Sequence, residues 1–327
     1  MFNLQTFLTN NYLESDDENI RFAYSLQSIK WFMLCPNYLP ELFICVRTIK
    51  NKKIIATIFG IPIKVKVYDK IINQVEINLL CIDKKYRNKR LTPVLINEIC
   101  RRTYLQGIFQ AIYTAKLNLP NLLVKIQYYH RICNVKKMHS IGFYTFPNNK
   151  CSLYEKLYKS NIPKLNNCYT IRPFEIKDTD ECLIKLNNYL EKYKLTIIFD
   201  KETFIHYFFP NPNINYTYII EKDNIITDMI SFFVIDNIVK NNYKYNEYKA
   251  GYLYYYFNFG IELVDLLNIA IYYANNNNID VFNVLNMYNL ENVLSKCKFL
   301  SGGFLNYYLY NYKCNPLDKN EVALPMF

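Results

Sequence analysis

EINLLCIDKKYRNKRLTPVLINEICRRTYLQGIFQAIYTA, residues Glu76–Ala115, is the stretch that decides the fold. Its first strand starts one residue earlier: VEINLLCI (Val75–Ile82) is an apolar run of strand length that stops at Asp83. A short loop follows, carrying Lys84, Lys85, Arg87, Lys89 and Arg90. Thr92–Leu105 then places apolar residues at helical spacing, with Pro93 in the first turn, where a missing N–H costs nothing. IFQAIYTA (Ile108–Ala115) reads as a second strand. The first N–H groups of a helix have no intrahelical acceptor, and the helix dipole adds positive potential there. With cations beside it, such a strand-to-helix loop is an anion site of the size of a diphosphate. Taken alone, the loop is as readily a solvated basic turn.

Working outward, the pattern recurs. AGYLYYYFNF (Ala250–Phe259) reads as a strand, Glu262–Ala274 as a helix, and IDVFNVLN (Ile279–Asn286), after a polar NNNN turn, as another strand. A β-rich pair precedes each copy, at Phe43–Tyr68 and at Tyr216–Ile235, and Lys240–Lys249 reads as a long hairpin loop. The expected fold is α+β, with two similar lobes sharing one continuous mixed sheet. Its boundary falls in the polar stretch PNNKCSLYEKLYKSNIPKLNN (Pro147–Asn167), giving lobes 1–150 and 151–327. A chain of 327 residues, 51% hydrophobic, suits two cores, and with only 7 glycines and no flexible linker the lobes must pack tightly.

Composition excludes several classes. There is no run of 18 uncharged apolar residues, and the opening MFNLQTFLTNNYLESDD has no basic region ahead of its apolar residues. Ten scattered cysteines without a CxxC pair read as reduced thiols, and the expected location is cytoplasmic. Three histidines without HxxxH or HExxH spacing give no metal site. The net charge of +11 lies on a background of Lys, Asn, Ile and Tyr, with no dense basic block, so no nucleic-acid partner is expected.

Glu76–Ala115 resembles the signature of the glycylpeptide N-tetradecanoyltransferase (N-myristoyltransferase) family, in which E-I-N-F-L-C leads into K-K-L-R-S-K-R-x-x-P-V-L-I-x-E-I-T-R-R and G-I-F-Q-A-x-Y-T-A. NYLESDDENIRFAYS (Asn11–Ser25), LPELFICVR (Leu39–Arg47), YYHR (Tyr128–Arg131), ITDMISFF (Ile226–Phe233), DVFNVLN (Asp280–Asn286) and YYLYNYKC (Tyr307–Cys314) resemble further family segments in the same order, over nearly the whole chain. The resemblance implies two fused acetyltransferase-like (GNAT) lobes with pseudo-twofold symmetry, the first binding acyl-CoA and the second the peptide. It implies transfer of myristate from myristoyl-CoA, a substrate rather than a prosthetic group, to the N-terminal glycine of client proteins by a monomer.

The same resemblance distributes roles. The backbone amides of Leu79 and Leu80 correspond to the family's oxyanion donors, and Phe327 to the last residue, whose carboxylate is the base. Thr114 stands beside the incoming glycine. Arg87, Asn88, Lys89, Arg90, Leu91, Thr92 and Pro93 correspond to the coenzyme A loop. Glu14, Asp16 and Asp17 correspond to an acidic loop that faces a substrate lysine, here interrupted by Ser15. Phe22, Tyr24, Tyr128, His130, Ser231, Tyr252 and Asn283 correspond to the peptide groove. Three departures stand out: the chain starts almost at the first helix, without the family's K-F-W-like segment; Lys116 replaces a glycine after Y-T-A; and LSGGF (Leu300–Phe304) lacks the aspartate of a G-x-G-D-G-like turn. These keep two alternatives open: a catalytically weak relative that binds acyl-CoA or peptide, and a transferase for a shorter acyl chain.

Overall fold

The computed structural model describes residues 1–13, 15, 19–146, 150–288 and 290–326. They form two compact units, one of Met1–Ile126, Tyr193–Ile198 and Phe304–Phe327, the other of Gln127–Lys192 and Phe199–Gly303. The division departs from a single cut at 150. The chain enters the second unit at residue 127, and residues 304–327 belong with the first.

The first unit holds α1 (Phe2–Asn11), β1 (Ile20–Phe22), α2 (Leu26–Met33), β2 (Phe43–Arg47), β3 (Ile54–Val67), β4 (Lys70–Ile82), α3 (Leu91–Leu105) and β5 (Gln110–Ala115). Strand β6 (Val124–Ile132) leads into the second unit, with α4 (Val135–Ser140), α5 (Cys151–Leu157), β7 (Tyr169–Pro173) and α6 (Thr179–Leu190). Strand β8 (Leu195–Ile197) returns to the first unit. The second continues with α7 (Lys201–Phe208), β9 (Asn215–Lys222), β10 (Ile225–Val239), β11 (Glu247–Asn258), α8 (Leu263–Asn276), β12 (Val281–Leu285) and α9 (Glu291–Leu294). Strands β13 (Leu300–Tyr310) and β14 (Val322–Ala323) close the chain.

Strand order in the first unit is β14-β8-β3-β4-β5-β13, with β2 on β3; in the second it is β6-β12-β11-β10-β9-β7. Each unit contains an antiparallel hairpin whose second strand is joined through a helix to a parallel neighbour: β3–β4, then α3 and β5; β10–β11, then α8 and β12. The repeat expected from sequence is therefore present, with each predicted strand and helix within a few residues of its place.

Helix α3 is set by a stripe at i, i+4 and i+8. Leu91, Leu95 and Ile99 pack with Ile44, Ala56 and Ile58 of β2 and β3. Leu95 and Ile99 are fully buried, and each contributes about 2 kcal/mol through that burial. Gly60 lies under this contact, where an added Cβ would meet Val75 Cγ1 at 2.6 Å. That packing holds the start of α3 just beyond the end of β4.

Candidate active site

Strand β4 carries the first feature. Its register on β3 pairs Phe59 with Asn78 and Thr57 with Cys81, so Leu79 and Leu80 together face Ile58. This is a β-bulge, which leaves a residue outside the ladder. Leu79 takes φ +52°, a left-handed conformation costing a leucine roughly 1–2 kcal/mol. The Thr57 hydroxyl, fully buried, donates to the Leu79 carbonyl at 2.8 Å. Leu79 is itself buried, whereas Leu80 is 37% exposed. From the end of α1, Tyr12 reaches the same place. Burial and the neighbouring Cys81 thiol push its phenol up to about 12, while a hydrogen bond with the Leu79 backbone works the other way.

Beyond the bulge comes the basic loop. Asp83 accepts hydrogen bonds from Lys85 N–H at 3.0 Å and Lys53 Nζ at 3.1 Å. Burial raises its carboxyl, but these bonds outweigh it and hold the group below the usual carboxylate range. Arg87 is tied to the end of α1 through the Asn11 carbonyl at 3.0 Å. Asn88 and Arg90 both adopt positive φ, +63° and +56°, and turn the chain into α3. The helix starts at Leu91, with Arg90 as N-cap and no side-chain capping bond. Lys89 and Arg90 are exposed. The first-turn amides of α3 thus lack a protein cap and stand among cations, which is the chemistry that accepts a phosphate oxygen.

Thr114 and Lys116 follow on β5 and just after it. Thr114 pairs with Tyr307 of β13. The Lys116 and Leu117 carbonyls are held by Asn306 Nδ2 at 3.3 and 3.1 Å, and the Lys116 residue is exposed. Residues 322–326 bury themselves: Val322 and Ala323 pair with β8, Thr196 Oγ1 donates to the Ala323 carbonyl at 3.1 Å, and Tyr307 Oη to Leu324 at 2.9 Å. Phe327 lies outside the described residues, as do Glu14, Asp16 and Asp17. Phe22 and Tyr24 join an aromatic cluster in which Tyr24 lies 6.1 Å from Tyr12 and 6.0 Å from Phe22.

The second unit gathers most of the other expected residues. Register places His130 opposite Asn283 and Asn283 beside Tyr252. His130 Nδ1 is 2.7 Å from Asn283 Oδ1. Burial lowers the His130 pKa, partly opposed by this bond. With Nδ1 facing an acceptor, Nε2 of the neutral ring carries the lone pair. Nε2 lies over Gly302, where an added Cβ would be 2.1 Å away. Tyr128 stacks at 6.5 Å from the His130 ring and meets Tyr252 edge-on, and Tyr252 stacks on Phe233 at 5.3 Å. Burial pushes the Tyr252 phenol well above its usual value. Ser231 is fully buried, and its hydroxyl bonds stay within β9–β10, to Thr217 Oγ1 at 2.9 Å and the Tyr216 carbonyl at 3.3 Å. A cavity of about 520 Å³ lined by Lys137, Tyr158 and Asp280 shares no residue with this cluster.

The loop before α8 occupies the position that the basic loop holds before α3, and it is filled from within. Asp228, fully buried, accepts from Gly260 N–H at 3.0 Å, Ile261 N–H at 3.2 Å and Thr227 Oγ1 at 2.7 Å. Sequence reading missed Thr57, Tyr12 and Asp228 as contributors. Each acts through a contact to a residue distant in sequence, and no local spacing marks it. Among the described residues no cluster of His, Cys, Asp and Glu could hold a metal, and no helix is long and apolar enough to cross a membrane.

Family models match twice: residues 1–125 to the N-terminal domain of myristoyl-CoA:protein N-myristoyltransferase, and residues 140–323 to its C-terminal domain. A Plasmodium falciparum glycylpeptide N-tetradecanoyltransferase is 38% identical over 322 residues, 98% of this chain and 78% of that protein. Glycylpeptide N-tetradecanoyltransferase 2 of Danio rerio is 36% identical over 323 residues, and the match spans 65% of its length. The crystal structure of Saccharomyces cerevisiae N-myristoyltransferase with bound myristoyl-CoA superimposes with a TM-score of 0.94 at 31% identity, covering 100% of this chain and 86% of that one. A GCN5-related N-acetyltransferase from Anabaena variabilis, 10% identical with a TM-score of 0.53, shares the fold alone.

Proposed function

The chain belongs to the N-myristoyltransferase family, and from that premise we propose that it moves a myristoyl group from myristoyl-CoA to the N-terminal glycine of peptides. The observation that carries this reading is the left-handed bulge at Leu79–Leu80 running into the uncapped start of α3. One strand end thereby supplies amides for a thioester carbonyl and, a few residues later, amides and cations for a diphosphate.

The reaction follows from that placement. The glycine ammonium first gives up a proton, for which the candidate acceptor is the Phe327 carboxylate. The amine lone pair then forms a bond to the thioester carbon, and the carbonyl π pair moves onto oxygen. The Leu79 and Leu80 amides stabilise this oxyanion, each such donor being worth on the order of 10²–10³ in rate. Collapse restores the carbonyl and breaks the C–S bond. The coenzyme A thiolate leaves with that electron pair, and the second amine proton accounts for its protonation. Arg87–Pro93 hold the diphosphate, and Thr114 meets the amine. Tyr128, His130, Tyr252 and Asn283 contact the peptide, whereas the buried Ser231 hydroxyl acts on the groove through β9–β10. In the acidic loop, Ser15 in place of a carboxylate weakens selection for a substrate lysine.

The test is mass spectrometry of a glycine-first peptide incubated with the chain and either myristoyl-CoA or acetyl-CoA. Tetradecanoylation of that peptide, with an alanine-first peptide unmodified, is the expected result. Acetylation alone would assign a shorter chain, and binding of acyl-CoA without transfer would assign a non-catalytic role.

A further inference from the structure

We propose that Thr57 is a positioning residue for acyl transfer, its hydroxyl holding the Leu79 carbonyl and thereby aiming the Leu80 amide at the thioester oxygen. The inference rests on the transferase reading above.

The argument is one of peptide geometry. The Leu79 carbonyl and the Leu80 N–H belong to the same peptide plane, and in a trans peptide they point in opposite directions. Whatever fixes one fixes the other. The carbonyl points inward, to the Thr57 hydroxyl at 2.8 Å, and Thr57 is fully buried on β3. The amide therefore points away from Thr57, on the side where the bulge opens and Leu80 is exposed. Leu79 has φ +52°, which leucine avoids, so its surroundings and not the residue's own preference hold the bulge. Rotation of the Leu79–Leu80 peptide, about ψ of Leu79 and φ of Leu80, would turn the Leu80 amide away. The Thr57 hydrogen bond opposes it, because a flipped carbonyl would leave a fully buried hydroxyl without its acceptor. The bulge is thus held from β3.

Thr57→Val keeps the branched shape and removes the hydroxyl, and Thr57→Ser keeps the hydroxyl. In steady-state assays with myristoyl-CoA and a glycine-first peptide, Thr57→Val is expected to lower kcat about tenfold or more. KM for the peptide and Kd for myristoyl-CoA should stay within about twofold, since the loss falls on the transition state. Thr57→Ser should retain kcat within about threefold. Should Thr57→Val not fold, Thr57→Ser against Thr57→Ala, read per folded molecule, isolates the same hydroxyl. If the valine variant keeps its kcat, or valine and serine lose it alike, the assignment of Thr57 is overturned while the transferase reading stands. If the unaltered chain binds myristoyl-CoA but transfers nothing, the transferase reading falls and the role of Thr57 with it.

Discussion

Two regions of the molecule, β4–α3–β5 and β11–α8–β12, share a topology and differ in what completes them. Both begin on the second strand of a hairpin, cross through a helix and return parallel to it. Both first strands are bulged: Leu79 and Leu80 face Ile58, and Tyr254 and Tyr255 face Ser231. Only the first bulge contains a residue at positive φ. The loop before α3 carries five cations and ends at an uncapped helix, whereas the loop before α8, Phe259–Glu262, carries none. Its amides are satisfied by the Asp228 carboxylate. One scaffold thus takes two states: a basic cradle whose helix start no side chain of the protein caps, and the same cradle sealed by the Asp228 carboxylate.

The largest effect expected from this difference is on stability in the sealed copy. Asp228→Ala leaves the Gly260 and Ile261 amides without their acceptor and should cost on the order of 3 kcal/mol in urea unfolding. An unchanged midpoint would mean that the carboxylate does not complete the loop. Gly260→Ala probes how tight that seal is. Its Cβ would fall 2.6 Å from Thr227 Oγ1 and 2.8 Å from Asp228 Oδ2. The expected cost is about 1–3 kcal/mol by the same method, and a neutral result would show a looser loop. The smallest effect belongs to the open copy. Lys89→Ala should change stability by less than about 0.5 kcal/mol, because the side chain is exposed. A larger loss would make Lys89 structural and weaken the contrast.

Much of this was legible in the sequence and some was not, for identifiable reasons. The strand, basic loop, helix and strand of Glu76–Ala115 followed from apolar period and from Pro93, and α3 begins one residue earlier than Thr92 because Arg90 turns the chain in a left-handed conformation. Tyr128, His130, Tyr252 and Asn283 were named as groove residues by the family resemblance; register sets His130 and Tyr252 on either side of Asn283, and Tyr128 joins them through its ring contacts with His130 and Tyr252. The unit boundary was not readable, since the return of β8 and of residues 304–327 to the first unit depends on pairing across long separations. Nothing in a leucine announces positive φ at residue 79. Neither Asp228 nor Thr57 shows a pattern around it, because each meets backbone groups more than twenty residues away. LSGGF read as a turn lies in β13, where the absence of a side chain at Gly302 makes room for the His130 ring.

The central claim is that acyl-CoA binds in the open copy alone. Calorimetric titration of myristoyl-CoA into the unaltered chain and into Lys89→Glu/Arg90→Glu tests it most directly. The account predicts one equivalent bound per chain, with Kd raised at least tenfold in the double variant, about 1.4 kcal/mol. Two equivalents in the unaltered chain, or a Kd unmoved by the charge reversal, would contradict it.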